Sequence, residues 1–106
     1  MNESFIDDIR IIATEGGIDY WTLTYNHNTK EIIYEDPIED KLSRATLTDE
    51  LILKGLEDLL SDKVSVNKQI KGWIRDAVAD QDAGQIDSVC ADCIVQAGLF
   101  GDIIYG

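Results

Sequence analysis

The last twenty-one residues, Ile86 to Gly106 (IDSVCADCIVQAGLFGDIIYG), limit the choice of fold more than any other stretch. They hold no Lys or Arg and form the most apolar part of the chain. A segment of that character is stable in water only when other elements cover it. The rest of the sequence must therefore supply amphipathic elements that surround it.

The chain before it does so. Phe5, Ile6, Ile9, Ile12 and Ala13 recur at helical spacing, so residues 4–15 are expected as a helix capped by Ser4, with Arg10 on its outer side. Residues 18–26 (IDYWTLTYN) are rich in aromatic residues and Thr, as strands are. Alternation places Trp21, Leu23 and Tyr25 on one face, with Tyr20, Thr22 and Thr24 on the other. Asn26 to Thr29 is turn chemistry, and residues 31–36 (EIIYED) read as the return strand of a hairpin that Pro37 ends. A short third strand around residues 44–48 is weakly signalled. Thr48 caps a helix over 49–61, where Leu51, Ile52, Leu56, Leu59 and Leu60 form the inner stripe. Gly55 within it costs about 1 kcal/mol relative to Ala, which points to a close packing contact there. Ser65 opens a helix over 66–79 with Ile70, Trp73, Ile74, Ala77 and Val78 inward and Lys68, Lys71 and Arg75 outward. Asp87 caps the last helix, 88–99, with Val89, Cys90, Cys93, Ile94 and Ala97 as its inner stripe. Residues 102–105 (DIIY) close as an extra strand or pack as an extended tail. The expected class is α+β: a single compact acidic domain spanning 1–106, with a two-stranded antiparallel hairpin, extensible to three strands, packed with about four helices.

Charge carries the next constraint. The formal net charge is −12. Residues 1–40 hold ten acids and two bases, residues 41–75 five and seven, and residues 76–106 six acids and no base. Such a field repels nucleic acid and anionic lipid and attracts basic surfaces, although keeping the domain in solution is the plainer use of the same charge. No direct nucleic-acid binding and no membrane association are expected. No run of eighteen apolar residues is present, and MNESFIDDIR has no basic region leading into an apolar one, so cytoplasm is the expected location.

Motifs for chemistry are sparse. Cys90 and Cys93 form a C-x-x-C, but the zinc half-site has no second pair, and no strand precedes it as a redox motif requires. Both thiols also fall on the apolar stripe, where small core residues belong. Asp80, Asp82, Gly84 and Asp87 look like a calcium loop, yet the Gly is one position early and the closing bidentate Glu is missing. His27 stands alone in a turn. No nucleophile elbow, phosphate loop, zinc-protease motif or dinucleotide fingerprint occurs. No enzymatic activity and no cofactor or metal are expected.

Two acid groups remain as candidate binding residues: Glu35, Asp36, Glu39 and Asp40 at the hairpin exit, and Glu57 and Asp58 on the 49–61 helix. Carboxylates one helical turn apart stand about 5–6 Å from each other, a spacing that can substitute for phosphates in a groove lined by Lys and Arg.

The C-terminal pattern A-D-x-x-x-Q-A-x-L-F-G-D-I-I-Y-G, from Ala91 to Gly106, resembles the ending of small acidic proteins of phages and prophages. Residues 17–21 (GIDYW) and 55–60 (GLEDLL) resemble the same group. The resemblance implies a phage-type inhibitor of host defence acting in the host cytoplasm, of the anti-CRISPR or anti-restriction kind. Its partner would be the basic protein surface of a nucleic-acid-binding host complex, engaged by nucleic-acid mimicry. The alternative is a small adaptor or structural phage protein that forms a homodimer through Phe100 and Tyr105 or through the Tyr20, Trp21 and Tyr25 hairpin.

Overall fold

A computed structural model describes residues 2–106. Four α-helices and one three-stranded antiparallel sheet follow in the order α1 (Glu3–Ile12), β1 (Thr22–Asn26), β2 (Glu31–Glu35), β3 (Leu42–Thr46), α2 (Asp49–Leu60), α3 (Lys68–Asp80) and α4 (Ser88–Phe100). The α+β class is as expected. The sheet is a meander, β1-β2-β3, with the third strand beginning two residues before the expected position.

Helix α4 lies at the centre, and every residue from Cys90 to Ala97 is buried. It therefore has no single inner stripe. Asp92 and Gln96 are enclosed with the apolar side chains, whereas Val89, expected inside, is exposed at its first turn. Helix α2 packs most extensively on it. Gly55 and Gly98 permit that packing, because a Cβ on Gly55 would sit 2.0 Å from the Ile94 carbonyl oxygen and one on Gly98 would sit 2.2 Å from that of Leu51. The two backbones touch where neither residue has a side chain. The close contact anticipated at Gly55 is this one.

The caps expected at Thr48 and Asp87 are present, accepting from the backbone N–H of Leu51 and Cys90. Those of the other two helices differ. Asn2 rather than Ser4 caps α1, and Asn67 rather than Ser65 caps α3. In each case a side-chain amide oxygen takes the orphan N–H that the first turn leaves free. After Ile12 the chain continues as a π-helical turn, Ala13–Gly17, which packs on α4.

Two side chains depart from simple periodicity. Arg10 is buried, 3 % exposed, although its position on the helix is outside the apolar stripe. Its Nε donates to the Leu47 carbonyl at 2.8 Å, and its Nη1 and Nη2 pair with Asp7 and Asp49. The guanidinium ties α1 to the entrance of α2, and this full set of partners is what lets a charge lie inside. Leu23 was expected beside Trp21 and Tyr25, but a bulge between Thr22 and Thr24 shifts the register and leaves it exposed. Trp73 likewise lies at the margin of the Ile74 and Ala77 row and is half exposed.

One face of the sheet, including Tyr25, Ile32 and Tyr34, turns to the helices. The other, with Thr24, Glu31, Ile33, Glu35, Leu42 and Arg44, carries no covering layer. Residues 36–41 join β2 to β3 at one end of this sheet.

Candidate functional site

The candidate residues do not form one row. Glu35, Asp36, Glu39 and Asp40 lie at the β2–β3 end of the sheet, and Glu57 and Asp58 in the second half of α2. Asp58 does not face a partner as expected: the residue is 8 % exposed and its carboxylate accepts from Lys54 Nζ at 2.8 Å. The Lys54 hydrogen bond holds its carboxyl below the usual range. Its backbone carbonyl also accepts from Val64 N–H, which fixes the exit of α2. Asp58 is a structural acid, and Glu57 alone remains exposed of that pair.

At the hairpin end the division of labour is different. Asp36 Oδ1 accepts from the backbone N–H of Ile38 at 2.8 Å and of Glu39 at 3.0 Å, and these bonds keep its carboxyl below the ordinary range. The turn closes through Asp40 N–H to the Asp36 carbonyl and Asp36 N–H to the Lys41 carbonyl. So Asp36 pins the loop, while Glu35, Glu39 and Asp40 are presented to solvent, with Glu39 paired to Lys41 at 2.6 Å.

What sequence reasoning missed is the apolar element inside this acidic group. Ile38 is 88 % exposed at the apex of the pinned turn. Leu42, directly opposite Glu35 across the β2–β3 pair, is 65 % exposed, and Leu23 projects from the bulge of β1. The available sign was an Ile in an otherwise polar stretch just after Pro37. The result is an exposed Ile among carboxylates at this end of the sheet.

The C-terminal tail braces the same end of the sheet. Tyr105 stacks on Trp21, with ring centroids 5.4 Å apart and planes within 6°, and Phe100 and Tyr34 complete the aromatic cluster. Tyr105 Oη donates to the Glu35 carbonyl at 3.3 Å. The tail is thus extended, one of the two forms expected, and it is held by Gln96. That side chain accepts from the N–H of Ile104 and of Tyr105 at 2.8 Å each and donates to the Tyr105 carbonyl. Gln96 also donates to Asp92 at 2.9 Å, and Asp92 further accepts from Trp21 Nε1 at 2.8 Å and Tyr20 Oη at 2.6 Å. Burial, then the Asp92 bond, raises the Tyr20 hydroxyl well above its ordinary range. An acid and an amide four residues apart in an otherwise apolar helix was the available sign that they serve each other. Phe100 and Tyr105, named above as one interface of a dimer, pack against Trp21 within the chain and stay partly exposed.

Cys90 and Cys93 are free and buried; burial pushes their thiols up to about 12 and about 11. They are protonated and enclosed, the opposite of a reactive thiol. The His27 ring lies edge-on to Tyr25 at 4.8 Å. Asp82 caps a 3-10 turn, Ala83–Gln85, and Asp80 accepts from Gln85, so two of the carboxylates of the calcium-like stretch hold a local turn. Among the described residues no group of three or more His, Cys, Asp or Glu side chains gathers as metal ligands would, and no helix is long and apolar enough to cross a membrane. Compared with protein-family models, with curated proteins and with solved structures, the chain finds no match in any of the three.

Proposed function

We propose that the protein is a non-enzymatic binding protein that docks the β2–β3 end of its sheet on a basic surface of a nucleic-acid-handling complex and thereby inhibits it. The observation that carries this reading is Ile38, almost fully exposed on a turn pinned by Asp36 and bordered by Glu35, Glu39 and Asp40. An exposed Ile on a rigid turn loses little entropy when a partner covers it, and the surrounding carboxylates orient the approach to Lys and Arg. Leu42 and Leu23 extend the contact along the uncovered face of the sheet. The resemblance to small acidic phage proteins supports a host-defence complex as the target, and the net charge of −12 supports a cationic one. The protonated, buried thiols speak against the thiol chemistry that a C-x-x-C could offer.

The experiment is a binding titration against nucleic-acid-handling complexes recovered with the protein from a host lysate. Affinity is expected to fall about tenfold or more as salt rises from low to several hundred millimolar, and nucleic acid is expected to compete. Glu39→Lys with Asp40→Lys should weaken binding, and so should Ile38→Asp, with the fold intact. Affinity indifferent to salt and to both changes would remove this reading.

A further inference from the structure

We propose that the protein also associates head to tail with copies of itself, the β2–β3 turn of one copy seating in a basic hollow beside α3 of the next. This uses the same turn as the reading above but requires no other protein.

The hollow has a volume of about 500 Å³ and is lined by Asp62, Val66, Lys68, Lys71 and Arg75. The three bases stand at i, i+3 and i+7 on α3, so they share one side of the helix. In a chain of nine bases against 21 acids, this is a local reversal of the molecular field. Lys71 is paired with Asp62 at 2.6 Å. Lys68 and Arg75 are exposed and, among the described residues, have no carboxylate partner. The first turns of α3 and α4 lack an acid, whereas those of α1 and α2 carry Glu3 and Asp49 with Glu50. The positive end of the α3 dipole therefore adds to Lys68, and Asp62, paired with Lys71, is the one acid in the lining. Val66, half-buried, supplies an apolar contact within the hollow.

The turn is the complement of this hollow in charge and polarity. It exposes Glu35, Glu39 and Asp40 beside one base, Lys41, which pairs with Glu39, and it carries Ile38 at its apex. Ile38 meets Val66, and Glu39 and Asp40 meet Lys68 and Arg75. Turn and hollow belong to different elements of the chain, so the contact joins unlike patches on two copies. Made once between two copies, it leaves one turn and one hollow unfilled and so propagates as a chain or closes into a ring.

The charge of −12 sets an unusual salt response. Whole-molecule repulsion acts over tens of ångströms, whereas the contact pairs act at touching distance. The screening length is about 30 Å at 0.01 M salt and about 10 Å at 0.1 M, so moderate salt removes the repulsion before it weakens the contact. Association is expected to be strongest at intermediate ionic strength and to fall on either side.

Sedimentation velocity on the purified protein tests this. The wild-type sedimentation coefficient should rise with concentration, most steeply near 0.1 M salt. Lys68→Ala with Arg75→Ala breaks the hollow, and Glu39→Ala with Asp40→Ala breaks the turn; each double variant alone should associate at least tenfold more weakly. Mixed one to one, the two variants should form a dimer that grows no further, because one retains the turn and the other the hollow. Circular dichroism of each variant, unchanged from wild type, assigns the loss to the contact. A wild type that stays monomeric at every salt and concentration, variants that associate like wild type, or a mixture that stays monomeric would each overturn the proposal. None of these results depends on the heterologous partner, so the two readings fail separately.

Discussion

Asp92 and Asp40 are the same residue type in one strongly acidic chain, and the molecule uses them in opposite ways. Asp92 is enclosed between α4, the turn before β1 and the tail, and accepts three hydrogen bonds from Tyr20, Trp21 and Gln96. Asp40 stands on a turn at the far end of β2 and is exposed. The first holds aromatic elements in place; the second is presented at a surface those elements brace. Acid count alone therefore says little about what an acid does, and its donors say a great deal.

Substitutions along this contrast should rank in a definite order. Asp92→Ala should act most strongly, lowering unfolding free energy by about 3 kcal/mol, because it leaves the Trp21 N–H without its acceptor and removes one acceptor of the Gln96 amide. Denaturant titration followed by Trp fluorescence would measure it. Gln96→Ala should cost about 2 kcal/mol and release the tail, raising hydrogen exchange at Ile104 and Tyr105 above that of the α4 core. Asp36→Ala should cost less than either and show itself locally, as faster exchange at Ile38 and Glu39. Its pH response follows from the lowered carboxyl: the contribution is present above the unfolded pKa and is lost as pH falls through the lower folded value. Exchange protection of the turn should therefore decline only under acid conditions, below the usual carboxylate range. Glu39→Ala with Asp40→Ala should change stability least, by up to about 1 kcal/mol because Asp40 holds a left-handed backbone (φ 53°) that Asp tolerates better than Ala, while having the largest effect on binding. If that pair proved as destabilising as Asp92→Ala, the contrast between the two regions would collapse.

The thiols give a further check on the enclosed region. Below about pH 9 both remain protonated and buried, and the stability from burying them neutral is lost only as pH rises from there toward about 11 for Cys93 and about 12 for Cys90. At neutral pH a thiol reagent should label Cys90 and Cys93 no faster than the domain opens.

Much of the fold was legible because it rests on local rules. The caps at Thr48 and Asp87, the return strand over 31–35 and the contact at Gly55 each follow from a residue and its near neighbours. What escaped depends on groups remote in sequence. Arg10 goes inside because Leu47 and Asp49, nearly forty residues later, receive it. Leu23 faces out because of a bulge that alternation cannot foresee. The candidate site was half legible: the acids at the hairpin exit were chosen by charge, but Asp58 was lost to Lys54 and Ile38 was not recognised.

The bare crossing of α2 on α4 reaches further than its two glycines. With carbonyls set where side chains would otherwise stand, neither rod can slide or roll against the other without collision. That seam fixes the height of Asp92 and Gln96, which locate Trp21 and the tail, and Tyr105 in turn leans on Glu35. The aim of the hairpin is thus set at the α2–α4 seam, as a door's swing is set by its hinge pin rather than its handle.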